Sequence, residues 1–156
     1  MRIPSLSPRL PALAFLLALA ACSESEQPRP AQPVPPTQSV SEFGDLRVRY
    51  NALPTLSMNE AVAREYGVQR DAGTALLVIA LRKAQAEDEI AADGQVEAVV
   101  VDLQGRRQEV ELRAAGTGDY VDHIGTFAID PHDTYRIEAR IRHEGRTETV
   151  KFQRSF

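Results

Sequence analysis

The folded part of this 156-residue chain is expected to be all-β: an immunoglobulin-like antiparallel β-sandwich of about seven strands with one short helix. Three observations lead there. Runs in which apolar and charged residues alternate recur from Leu46 to Phe152, the period of a strand with one buried face. Short turns marked by Gly, Pro or Asp separate those runs. Only one stretch, near Ser57, carries a helix-start signal. A small closed barrel is the rival architecture. One Cys and no Trp rule out the Cys…Trp…Cys signature of antibody domains, so the expectation concerns architecture alone.

The chain before this domain has a different composition. Arg2 and Arg9 make a positive start, and Leu10 to Ala20 is an apolar run of eleven residues. As a helix that run is too short to cross a bilayer, and it fits the core of a signal peptide. It ends at Cys22, the only cysteine. Leu19, Ala20, Ala21 and Cys22 resemble the bacterial lipobox: an aliphatic residue, two small residues and a cysteine. The resemblance implies a diacylglyceryl thioether on Cys22 and cleavage before it, making residues 1–21 a lipoprotein signal peptide. The alternative is an ordinary secretory signal with an incidental Cys. Ser23 after the cysteine favours the outer membrane by the enteric sorting rule, under which Asp retains a lipoprotein at the inner membrane.

Residues 22–41 are expected to be the lipidated Cys and a disordered tether. Pro28, Pro30, Pro33, Pro35 and Pro36 are five of the ten prolines, and only Ala31, Val34 and Val40 are apolar. Such a stretch cannot bury enough surface to offset its ordering entropy. In polyproline II its residues reach roughly 60 Å at about 3.1 Å each. A proline-rich ligand for a partner domain is the alternative reading.

The domain is assigned to residues 42–156. Leu46, Val48 and Tyr50 alternate with Arg47 and Arg49, a strand that Pro54 ends. Ser57 and Glu60 form a capping box, and Met58, Ala61, Val62 and Tyr66 are expected on one helix face before Gly67. Thr74 to Lys83 is almost wholly apolar and is expected as a central strand covered on both faces. Residues 84–94, with Glu87, Asp88, Glu89 and Asp93, are expected as a solvated acidic loop. Gln95–Leu103 and Arg106–Arg113 should form a hairpin about Gln104-Gly105, and Ala114–Gly118 a second turn. Tyr120–Ile129 is the next strand, with Val121, Phe127 and Ile129 on one parity, and Asp130–Asp133 turns it. Tyr135, Ile137, Ala139 and Ile141 then alternate with Arg136, Glu138, Arg140 and Arg142. After His143–Arg146, the closing strand places Val150 and Phe152 on one face.

Chemistry is sparse. His123, His132 and His143 lack any His-x-His pair or second ligand at helical spacing, so structural or surface roles are expected and no metal is assigned. Asp119, Asp122 and His123, close in sequence, are the candidates should the protein bind a small ligand or metal. No G-x-S-x-G elbow and no glycine-rich phosphate loop occurs, and an acylated Cys22 is not a free thiol. No catalytic residue, no cofactor and no enzyme activity are therefore expected. The full chain carries a formal charge of −4; without residues 1–21, 16 basic residues face 22 acidic ones. That balance opposes nucleic-acid binding. Arg136, Arg140 and Arg142 with Glu138 are a basic outward face, read either as an acidic-ligand surface or as a solvated face of cross-strand ion pairs.

Several segments in order resemble a family of proteobacterial lipoproteins known only as domain of unknown function four-four-two-six. They are Phe43-Gly44-Asp45 and the strand to Tyr50, Glu60 to Gly67, Ala75 to Leu81, Leu103 to Arg106, and Val150-Lys151-Phe152. The resemblance implies a periplasmic immunoglobulin-like sandwich and brings no activity with it. The expectation is a lipid-anchored periplasmic binding or scaffolding module, held to the membrane through Cys22 and presenting its surface to an envelope protein. A small-ligand or metal-binding protein is the alternative.

Overall fold

The computed structural model describes residues 39–85 and 88–156. Cys22, the signal segment and the tether up to Gln38 lie outside the described residues, as does Glu87. Among the described residues ten strands, β1 (Ser39–Phe43), β2 (Leu46–Pro54), β3 (Thr74–Gln85), β4 (Asp88–Ala91), β5 (Gln95–Val101), β6 (Arg107–Val110), β7 (Arg113–Thr117), β8 (Tyr120–Ala128), β9 (Thr134–His143) and β10 (Arg146–Ser155), are joined by tight connections and one short helix, α1 (Glu60–Glu65). Every pairing is antiparallel. Sheet A runs β1-β2-β3-β8-β7, with β4 also on β3; sheet B runs β10-β9-β5-β6.

The sandwich forms because both sheets offer a continuous apolar parity. Leu46, Val48 and Ala52 of β2 and Leu77, Ile79 and Leu81 of β3 face Ala98 and Val100 of β5 and Ile137, Ala139 and Ile141 of β9 in one buried core. β9 alternates without a fault, as its sequence predicts. One end of the core is closed by aromatic rings: Phe127, Tyr135 and Phe156 lie with centroids 5.7–6.0 Å apart. Burying side chains of this size stabilises by about 1.5–3 kcal/mol each.

β3 is central and covered on both faces, as expected, but its second cover is local. Leu76 packs with Ile124, Ala115, Met58 and Ala63 in a separate small core beneath α1. The helix starts later than its capping box implies. Thr55–Ser57 is a 3-10 turn, and Asn59 is the N-cap, its Oδ1 accepting from Ala61 N at 2.8 Å. Moving the start turns the helix, so Ala63 is buried while Ala61 and Val62 are exposed. Buried Thr55 fixes the far end of this segment by exchanging hydrogen bonds with the backbone of Asp71 at 2.8 and 2.9 Å.

Other boundaries differ from expectation. β1 starts at Ser39, inside the stretch assigned to the tether, because the Gly44 turn (φ 67°) folds residues 39–43 back onto β2. The acidic loop contains β4, paired with β3 from Arg82 to Gln85. The expected strand Arg106–Arg113 is two strands in different sheets, and Ala114–Gly118 is largely β7 rather than a turn. Val110 and Leu112 keep one parity through the break, so alternation carries no trace of it. The crossing is legible instead at Gly125, where an added Cβ would lie 2.5 Å from Glu111 O. Gly94, on the crossing from β4 to β5, is equally confined: a Cβ there would meet Leu81 Cδ1 at 2.6 Å.

Candidate functional site

The two sheets differ in what lies on their outer faces. On sheet A, Arg47 and Arg49 project outward from β2, since Leu46 and Val48 take the inward parity. Glu89 of β4 meets both: Arg49 donates to it three times at 2.8, 3.0 and 3.2 Å, and Arg47 at 3.1 Å. The Arg49 bonds hold the Glu89 carboxyl below the usual range, against the opposing effect of burial. Tyr120 donates its hydroxyl to Glu89 O at 3.0 Å. Beneath lies a buried ion pair, Arg82 Nη2 to Asp122 Oδ1 at 2.6 Å, with the Arg82 guanidinium 4.3 Å from the Tyr120 ring centroid. This seam joins β2, β3, β4 and β8. Two outward arginines at i and i+2 on β2 were the sequence sign that an acidic partner was needed. The exposed acidic composition of 84–94 concealed which residue supplied it.

On sheet B the outward side chains form rows across the strands, because directly paired residues share a face. The first row is Gln153, Arg136, Val101 and Arg107; the second is Lys151, Glu138, Val99 and Glu109; the third is Thr149, Arg140 and Glu97. A groove of about 960 Å³ follows this face, with Val99 and Val101 among its lining residues. Lys151 and Glu138 of the second row, and Arg140 and Glu97 of the third, are matched across strands. Lys151 lies 3.0 Å from Glu138, and Glu97 lies 3.9 Å from Arg140 and 3.4 Å from Arg142. The hydrogen bond from Lys151 holds Glu138 below its ordinary pKa. The first row is different. Among the described residues Arg136 meets no carboxylate, and Arg107 reaches Glu109 only at the 4.0 Å limit. Neighbouring Arg106 is fully engaged, by Asp102 at 2.5 Å and Asp130 at 2.8 Å. The face expected to be basic is therefore mixed, with an unbalanced positive row at one end.

The remaining candidates are dispersed. His123 is in β8, its ring on the inward parity opposite Ile79 and Ala114, and its Nδ1 is buried without a hydrogen bond. His132 lies in the β8–β9 turn with φ 64°. His143 is not a surface turn residue but the buried end of β9; its Nδ1 lies 2.5 Å from Asp93 O, and its Nε2 is 3.7 Å from Glu144. Asp122 points outward to Arg82, on the opposite parity from His123, and Asp119 is exposed in the β7–β8 turn, so these three do not converge. Among the described residues no group of three or more His, Cys, Asp or Glu is placed to hold a metal ion. No described helix is long and apolar enough to cross a membrane.

The family model described as "Domain of unknown function (DUF4426)" matches residues 40–156, and the chain belongs to that family. Among solved structures it is similar to a DUF4426 family protein from Pseudomonas aeruginosa PAO1. The TM-score is 0.64 at 20% identity, covering 76% of this chain and 94% of that one. It is also similar to FetP of uropathogenic Escherichia coli strain F11. A copper-bound FetP variant gives a TM-score of 0.56 at 10% identity, covering 76% and 94% of the two chains. FetP as isolated, expressed recombinantly in the periplasm, gives 0.55 at 9%, covering 76% and 93%. At these identities the likeness speaks to the fold. Comparison with curated protein sequences finds no match.

Proposed function

We propose that this member of the DUF4426 family is a non-catalytic binding or scaffolding module of the bacterial periplasm, anchored by lipid on Cys22 and favouring the outer membrane. The observation that carries the binding part is the open outer face of sheet B. It is a groove with valines among its lining, while the corresponding face of sheet A is covered in part by α1 and bridged by the Glu89 side chain of its own strand β4. A module that works by contact needs one face left available, and this is the face. The anchoring part rests on Leu19-Ala20-Ala21-Cys22 at the end of the apolar run. Two or three acyl chains would hold the domain at the membrane, at about 0.8 kcal/mol per buried CH₂.

Two measurements test this reading. Mass spectrometry of the mature N-terminus should show acylated Cys22; an unmodified Cys22 refutes the anchor. Cross-linking in intact cells, through a photoreactive residue replacing Val99, should capture a reproducible envelope protein. Capture of none refutes the binding module.

The metal-binding alternative draws its support from FetP, a protein of like fold that holds copper. The groups available to it here are Asp119, Asp122 and His123, of which Asp122 is already paired with Arg82. Copper titration of the purified chain tests it: stoichiometric uptake lost in His123→Ala supports it, and the absence of uptake ends it.

A further inference from the structure

We infer that Arg107 and Arg136 form a carboxylate-recognition fork on sheet B, and that its occupant is an extended segment of a partner protein bearing an acidic side chain beside an apolar one. Both arginines are register partners of Val101, from opposite sides. Their strands therefore lie about 10 Å apart with one strand between, at about 4.8 Å per step. Two side chains of arginine length rooted at that spacing can close on a single anion above Val101. Planar guanidinium donors suit a carboxylate's two oxygens.

The charges of this face favour a protein segment over a membrane surface. Beyond the fork, the same groove carries Glu97, Glu109 and Glu138 among its lining residues, alongside Lys151 and Arg140. A flat anionic bilayer would meet those carboxylates as well as the arginines, and the repulsion would cancel the attraction. A polypeptide strand varies its charge residue by residue. One acidic side chain in the fork, one apolar side chain against Val99 or Val101 and a basic or neutral residue toward Glu109 and Glu138 match the rows as they stand. The position of Arg136, which meets no carboxylate among the described residues, beside Arg107, which reaches Glu109 only at 4.0 Å, is then explained, since a structural role would have paired both as closely as Arg106 is paired.

This inference rests on the binding-module reading and adds the chemistry of the partner. The test uses the full mature chain carrying Cys22→Ser, titrated at low salt by amide NMR with a capped peptide alternating aspartate and valine. Expected are saturable shifts concentrated at Val99, Val101, Arg107 and Arg136, weakened at least tenfold in Arg136→Glu and in Arg107→Glu. Both variants should keep the wild-type melting temperature, because neither side chain is buried. A capped lysine–valine peptide should leave the row unmoved.

Shifts that survive both charge reversals, or equal binding of the lysine peptide, overturn the fork. Inorganic phosphate saturating the same residues as tightly as the peptide overturns the protein segment as occupant. Phosphatidylglycerol vesicles binding through the same arginines while the peptide does not would overturn it too. A partner still cross-linked in cells after both reversals would sink the fork and leave the binding module standing. An intact fork with no partner in cells would do the opposite.

Discussion

Sheet A carries a second layer on its outer face and sheet B does not. Outside sheet A, α1 covers the apolar half through Leu76 and Ile124, and the polar half is stitched by Glu89, Tyr120 and the Arg82–Asp122 pair. Outside sheet B the rows of side chains stand in solvent, with exposed ion pairs between strands. The same type of interaction therefore has two meanings. A buried charge pair beneath a ring holds structure together, because breaking it strands a desolvated charge. A pair in open solvent sets the pattern of a surface and contributes little to stability.

The largest expected effect comes from breaking the buried pair. Asp122→Ala should destabilise the fold by about 3–5 kcal/mol, since Arg82 keeps its charge in a site nearly closed to water. Urea unfolding measures it, and a loss under about 1 kcal/mol would show that water reaches the pair. Next is the small core beneath α1. Ile124→Ala should cost about 2–4 kcal/mol, whereas Val99→Ala on sheet B should cost under about 1 kcal/mol. Equal losses would erase the distinction between the faces.

A finer contrast is pH. Because the folded pKa of Glu89 is depressed by Arg49, its contribution is complete above the unfolded glutamate value of about 4.3 and is lost as pH falls through the lower folded value. The hydrogen-exchange protection of Ala92, whose amide donates to Leu81 O, should fall in acid before that of the core amides. In Glu89→Gln that protection should already be reduced at neutral pH and should no longer follow this titration. If Ala92 and the core lose protection together, β4 is not held by this carboxylate. The smallest effect belongs to sheet B: Arg140→Ala should change stability by no more than about 0.5 kcal/mol. A larger loss would place Arg140 in the structural class.

What was legible in the chain follows from which interactions are local. β9 reads directly, because inward Tyr135, Ile137, Ala139 and Ile141 answer to one large core across their whole length. β3 reads as a covered strand because both its parities are apolar. β8 does not read so simply. Val121 shares a parity with Phe127 and is nevertheless 45% exposed, while Ile124, on the other parity, is buried under α1. The strand serves two cores, and a single alternation cannot report both. β4 and β7 were concealed by acidic, alanine and glycine residues that lack strand propensity; pairing with β3 and β8 supplies what composition withholds. The outward arginines of β9 were visible, but their meaning depended on register. Only the pairing of Val101 with both Arg107 and Arg136 separates the unmatched row from the matched ones.

The pairing of β3 with β8 has a consequence for how the chain acquires its shape. Ala75 waits for Phe127 and Ile79 for His123, while all of sheet B's β5 and β6 lies between them in sequence. Until β8 arrives, the β2–β3 hairpin presents one open edge and an apolar ribbon, Leu76 to Leu81, on both sides. Contacts this distant place folding toward the slow end for a domain of this size, in the millisecond-to-second range. A newly made chain would therefore pass through a sticky intermediate whose hazard is association with its own copies. Refolding yield should fall as protein concentration rises, and a holding chaperone in its compartment would find its target in that ribbon.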